Sequence, residues 1–151
     1  MDEIVPGPDS FMPTPEQVRH LEAQMLQLPQ VALQTSHLVH GGICARTIFI
    51  PAGTALTGAQ LNKDNICIMA GDITVTTDDG PLRLTGFHVI PAMSGFKRVG
   101  LAHADTYWTT LFPTELTDIA AIETEMTDEA DNLQTRRSGI GYQDPARLEG
   151  E

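Results

Sequence analysis

The side chains of this chain that could ligate a metal or move a proton are five histidines, two cysteines and scattered carboxylates. His37 and His40 lie three apart. On a strand an odd separation sends side chains to opposite faces, so these two do not chelate one ion. His88 sits in the apolar run Phe87-His88-Val89-Ile90, where a satisfied core histidine is the expectation and a catalytic one the alternative. His20 falls on a helix and His103 in a late strand, with no partner assignable to either. Cys44 and Cys67 stand in strand-like apolar surroundings and read as buried small hydrophobes rather than a disulfide. Asp78-Asp79 runs into Gly80, so a hairpin turn explains both carboxylates without acid–base work. Glu123, Glu125, Asp128, Glu129 and Asp131 read as the solvated face of a helix. There is no Gly-x-Ser-x-Gly elbow, no Gly-rich phosphate loop before a helix and no His-Glu-x-x-His. On these residues the expectation is a protein that is not an enzyme and carries no cofactor.

The elements that would position these groups centre on residues 65–91. Ile66-Cys67-Ile68-Met69 and the alternating stretch to Thr76 run into the Asp-Gly turn, and residues 81–91 return, which is a hairpin pattern. Strands are predicted over Val31–Val39, Cys44–Ile50, Ile66–Thr76, Pro81–Thr85, Phe87–Pro91, Phe96–Ala104 and Thr106–Phe112. Seven short strands at this spacing argue for a mainly β fold, a small antiparallel β-barrel or jelly roll. Before it, Thr14, Pro15 and Gln17 make a capping box and open a helix that Pro29 ends. Its residues Val18, Leu21, Met25 and Leu28 recur at spacings of three and four and form one apolar stripe. A second, acidic helix is predicted over about residues 117–133, with Ile119, Ile122, Met126 and Ala130 on one side. The organisation is therefore an arm at 1–13, a helix at 14–30, a barrel at 31–112, a C-terminal helix at 113–137 and a tail at 138–151.

Charge sharpens the division. The 151 residues carry a net charge of −11, and 41% of them are hydrophobic. Residues 31–112 hold five acids and five bases, whereas residues 113–151 hold ten acids and three bases. No basic face is visible for the counterion release that nucleic-acid binding needs, so nucleic acid is excluded as a partner. No apolar run reaches the roughly 20 residues of a membrane span. The acidic, prolyl start Met1-Asp2-Glu3-Ile4-Val5-Pro6 does not read as a signal peptide.

Three stretches resemble a family. Ile48-Phe49-Ile50-Pro51-Ala52-Gly53-Thr54, Ile68-Met69-Ala70-Gly71-Asp72-Ile73-Thr74-Val75 and Gly86-Phe87-His88-Val89-Ile90-Pro91-Ala92 resemble, in that order, the motifs of the cupin double-stranded β-helix. The resemblance spans roughly residues 43–112. It implies a cupin-like barrel, in which many members ligate a metal through two His and one Glu of the first motif and one His of the second. Here Thr57–Leu61 holds no His, Asp64 takes the Glu position and Phe96 falls on the last His position, so the motif residues imply a metal-free site.

Two functions follow from this. The whole layout, with its acidic helix after the barrel, resembles small cupin-like proteins of tailed bacteriophages. That resemblance implies a virion subunit: a capsid decoration, head-fibre or neck/tail accessory protein made in the host cytoplasm. Its partners would be its own copies or other virion proteins, with Val18, Leu21, Met25 and Leu28 as assembly contacts. The alternative is a metal-free cupin that binds a small molecule in the barrel, with Gln60, Asp64, His88 and Met93 lining the pocket.

Overall fold

The computed structural model of the chain describes residues 14–77 and 79–136, so both expected terminal arms and Asp78 of the hairpin turn lie outside the described residues. Helix α1 (Pro15–Met25) begins as its capping box predicts: the Thr14 hydroxyl accepts the Gln17 amide at 3.1 Å, and the Gln17 side chain accepts the Thr14 amide at 2.8 Å. Seven strands follow: β1 (Gln34–His40), β2 (Ile43–Ile50), β3 (Ala55–Thr57), β4 (Asn65–Thr77), β5 (Gly80–Ala92), β6 (Val99–Ala102) and β7 (Thr106–Pro113). All pair antiparallel, in the order β1-β2-β7-β4-β6-β3, with β5 on the other side of β4.

The β4–β5 hairpin builds the curl. Its first half, residues 65–70, pairs with β7, and its second half, residues 73–75, pairs with β6. Between the halves Gly71 faces Gly86 across the ladder, both at positive φ, and the sheet folds over on itself. The result is a mainly β, antiparallel, curled half-barrel. The two strands expected over residues 81–91 are one, β5, because Gly86 bends the strand without ending its pairing. Strand β3 was not foreseen: three residues beside Gly53 and Gly58 carry too short an alternation to register as a strand.

Odd-numbered residues of β4 and even-numbered residues of β2 and β7 point inward. Ile50, Met69, Ile73, Val75, Leu84 and Trp108 pack there as the main core. A second cluster forms where helix α2 (Ile119–Met126) lies on the sheet, burying Ile122 and Met126 against Cys44 and Phe112. The two cysteines are free and sit in different clusters.

The acidic helix departs from expectation. It stops at Thr127, whose extended backbone (φ −151°, ψ 147°) lets its hydroxyl donate to the Gln60 carbonyl at 2.7 Å, and a 3-10 turn follows at Ala130–Asn132. Its charge is a solvated face only in part: Asp128 and Asp131 are exposed as expected, but others are not. Glu123 is 3% exposed, and Glu125 and Glu129 each meet a cation from the barrel.

Candidate functional site: the barrel cavity

The inward alternation of β2, β4 and β7 lines a cavity of about 720 Å³ inside the curl. One wall is apolar, formed by Ile48, Ile50, Ile73, Val75 and Trp108. A polar strip of Asn65, Cys67, Arg98 and Thr110 crosses it. The Arg98 guanidinium lies 4.8 Å from the Phe96 ring and 5.7 Å from the Trp108 ring and donates to the Thr76 carbonyl at 2.6 Å, so it is held against the wall. The Cys67 thiol donates to the Asn65 side-chain oxygen at 3.4 Å. Burial pushes the thiol above its ordinary pKa, the nearby Arg98 charge offsetting this only in part, so Cys67 is a neutral hydrogen-bonding group here.

Helix α1 and the chain that leaves it roof the cavity with Met25, Leu26 and Leu28. Buried charge fastens this roof. The Lys97 ammonium, with no side-chain exposure, donates to the Gly58 carbonyl at 2.7 Å and Glu129 at 2.8 Å, with Glu22 of α1 at 3.4 Å. Arg19 of α1 bonds Glu129 at 2.8 Å and also reaches Gln60, while Thr57 donates to Glu22. Burial raises the Glu129 pKa, but hydrogen bonds from Lys97, Arg19 and the Gln60 amide outweigh it and hold the carboxyl below the usual carboxylate range.

At the other end Arg46 reaches in from β2. Its Nη1 donates to His37 Nε2 at 2.7 Å and to Glu123 at 2.8 Å. His37 is therefore buried on the inner face while His40, three residues on, is exposed, as the strand period requires.

The residues expected to line the pocket lie elsewhere. Gln60 is at the rim, its side-chain amide donating to the Gly95 carbonyl at 2.9 Å. Asp64 precedes β4 and accepts the Ser94 amide at 2.8 Å. His88 faces the inner side of the outermost strand but bonds the Thr85 carbonyl at 2.9 Å, and Met93 is 64% exposed. None of the four is among the cavity residues. The physical reason is their place in the chain: Gln60, Asp64 and Met93 lie in connections outside the strands and His88 on β5 at the margin of the curl, whereas β2, β4 and β7 supply most of the inner wall. Period-two alternation in β2 and β7 was the signal that could have found that wall. The expected stripe is divided, because α1 ends at Met25 rather than at Pro29 and leaves Leu28 outside the helix: Val18 is buried, Met25 faces the cavity, and Leu21 and Leu28 are 38% and 63% exposed.

The donor set does not suit a metal. Among the described residues no three His, Cys, Asp or Glu side chains come together, and Asp64 is engaged with a backbone amide.

No family model matches the chain, and no curated protein matches it. Solved structures do. Ectoine synthase from P. lautus superposes with a TM-score of 0.51 at 14% identity, over 66% of this chain and 76% of that one. KdgF from Halomonas sp. gives 0.49 at 18% identity, over 62% and 88%. A cupin superfamily protein from Desulfitobacterium hafniense gives 0.48 at 11%, over 62% and 87%. The first of these shows a shared fold over two thirds of the chain, and a cupin superfamily protein is among the neighbours. The expectation that the protein is not an enzyme is corrected by the first of these: a synthase is built on the same fold, which leaves an enzymatic role open. None of the three comes from a bacteriophage, so the virion reading draws no support from them.

Proposed function

We propose that the protein binds a small molecule inside its cupin-like barrel without a metal. The observation that carries this is the cavity itself. Small barrels are commonly filled by their own side chains, whereas here about 720 Å³ remains between the inner walls, within the roughly 300–1,000 Å³ typical of ligand pockets. The wall chemistry defines the guest: a mostly apolar body against Ile50, Ile73 and Val75, stacked on Trp108, with a polar end bonded by Cys67, Asn65 and Thr110. Burial of the body drives binding, and the polar strip orients it.

Trp108 is the chain's one tryptophan and stands in the wall, so its fluorescence reports occupancy. Titration with 1-anilinonaphthalene-8-sulfonate, an apolar body with an anionic end, is expected to change Trp108 emission saturably at one probe per chain. Val75→Phe, which fills the cavity, is expected to weaken this at least tenfold while leaving the circular dichroism unchanged. Equal binding by a folded Val75→Phe protein, or no saturable binding to the natural chain, refutes the reading.

A second reading, an assembly subunit such as the phage-type resemblance implies, is favoured by the exposure of Leu21 on α1 and of Leu28 just after it. Loss of a larger assembly on Leu21→Asp, a residue outside the cavity lining, with the titration above unaffected, would support it.

A further inference from the structure

The cavity is a positively charged place in a negatively charged protein. The chain carries −11, yet the charged side chains that line the cavity among the described residues are three arginines, Arg19, Arg46 and Arg98, against two glutamates, Glu22 and Glu129. Both glutamates are already met by the buried Lys97 ammonium, at 3.4 and 2.8 Å, and Glu129 is also met by Arg19. The carboxylates of the lining are thus committed to fastening the roof, and the lining as a whole is net positive.

Resting on the cavity reading above, we propose that the polar end of the guest is a carboxylate received at Arg98, which makes the ligand class a monocarboxylic acid with an apolar body. Three features of the strip fit such an end. First, Arg98 is held in place. Its guanidinium lies 4.8 Å from the Phe96 ring and 5.7 Å from the Trp108 ring, and Nη1 donates to the Thr76 carbonyl at 2.6 Å. A planar fork fixed in this way binds a carboxylate with little further loss of side-chain freedom.

Second, its neighbours favour an anion. The Arg98 guanidinium, the Thr110 hydroxyl and the Trp108 indole all lie within hydrogen-bonding reach of the Cys67 sulfur, so donors converge on one point of the wall. Burial keeps the Cys67 thiol protonated, and it brings no competing negative charge. Third, Ile50, Ile73 and Val75 beside the strip keep the local dielectric low, which strengthens a charge pair formed there. An amide or alcohol end would fill the same space without supplying the opposite charge, and a cationic end would be repelled.

N-phenyl-1-naphthylamine has the body of the anilinonaphthalene probe without its sulfonate, so its binding reports the apolar cavity alone. Its displacement from the full chain at pH 7 by 4-phenylbutyrate, and separately by 4-phenylbutanamide, tests the head, because the two competitors differ in charge rather than in bulk. The acid is expected to bind at least about tenfold more tightly than the amide, as hydrogen bonds to charged groups outweigh neutral ones. Arg98→Gln, which keeps a donor and removes the charge, is expected to erase this preference. Thr110→Val, close in shape, is expected to reduce it severalfold and decides the matter if Arg98→Gln does not fold. Equal displacement by acid and amide overturns the carboxylate assignment and leaves the cavity reading standing. So does a bound probe that neither competitor displaces, or a preference undiminished in the folded variants. If neither the neutral probe nor its sulfonate binds the natural chain, the cavity reading fails and the carboxylate assignment with it.

Discussion

Glu123→Ala is expected to destabilise the protein by about 3–5 kcal/mol, the usual consequence of removing one partner from a buried ion pair. The carboxylate is 4% exposed and is met from three sides: Arg46 at 2.8 Å, Arg136 at 3.1 Å and the Thr135 hydroxyl at 2.6 Å. Arg46, at 13% side-chain exposure, would keep its charge in the interior with His37 left as its acceptor among the described residues. The pH dependence follows in sign. Burial raises the Glu123 pKa, but the hydrogen bonds from Thr135 and Arg46, with the Arg46 charge, outweigh it and the net shift is downward. A carboxyl whose folded pKa lies below its unfolded one contributes stability that is complete above the ordinary glutamate value of about 4.3 and is lost as pH falls through the lowered folded value. Denaturant unfolding at pH 7 and pH 3 should therefore show the variant's deficit shrinking in acid. Glu115→Ala, at an exposed site, should stay within about 0.5 kcal/mol of the natural chain. A Glu123→Ala deficit below 1 kcal/mol at pH 7 would mean that the network contributes little.

Gly71→Ala is expected to be as damaging through sterics alone. Gly71 has φ +145°, and a Cβ there would lie 2.4 Å from the Thr106 hydroxyl and 2.7 Å from the backbone of residues 105 and 106. The neighbour cannot yield: Thr106 is fully buried, its hydroxyl accepting the Asp72 amide at 3.1 Å and donating to the Ala104 carbonyl at 2.9 Å. Backbone strain and overpacking together come to roughly 2–6 kcal/mol, a large part of a domain's whole stability. Gly86, its partner across the ladder at φ +90°, has nothing within 4 Å of the same position. Gly86→Ala should therefore show only the backbone part, about 1–3 kcal/mol. Equal melting temperatures for the two variants would rule out the steric account.

Local chemistry explains which features the sequence made legible. The capping box at Thr14 and Gln17, the β-branched alternation of β4 and the Asp-Gly turn are contacts between near neighbours, and each appears where the pattern placed it. The opposite faces of His37 and His40 needed only the strand period. What stayed hidden was paired over distance. Lys97 meets Glu22 and Glu129, far from it along the chain, and nothing in the loop Phe96-Lys97-Arg98 marks its ammonium as buried. Glu123, Glu125 and Glu129 read as solvated because their partners Arg46, Lys63 and Lys97 come from three separate barrel segments. The expected pocket residues Gln60, Asp64 and Met93 fall in connections and His88 on the marginal strand β5, whereas the wall is built by the inward side chains of β2, β4 and β7.

The kinked hairpin also bears on how the chain folds. β4 and β5 pair over thirteen positions through a tight turn, so their register can form on the microsecond scale before any distant segment arrives. Both layers of the curl share this one ribbon, and once it is made their relative placement is already half determined. The β2–β7 pairing, by contrast, joins segments such as Ile50 and Thr106 and must close a long loop. Mutations in residues 65–92 should therefore slow folding, while those at the β2–β7 seam should chiefly speed unfolding. Stopped-flow refolding of Ile68→Val and Ile48→Val would separate the two classes, and equal slowing by both would mean that the seam forms in the rate-limiting step.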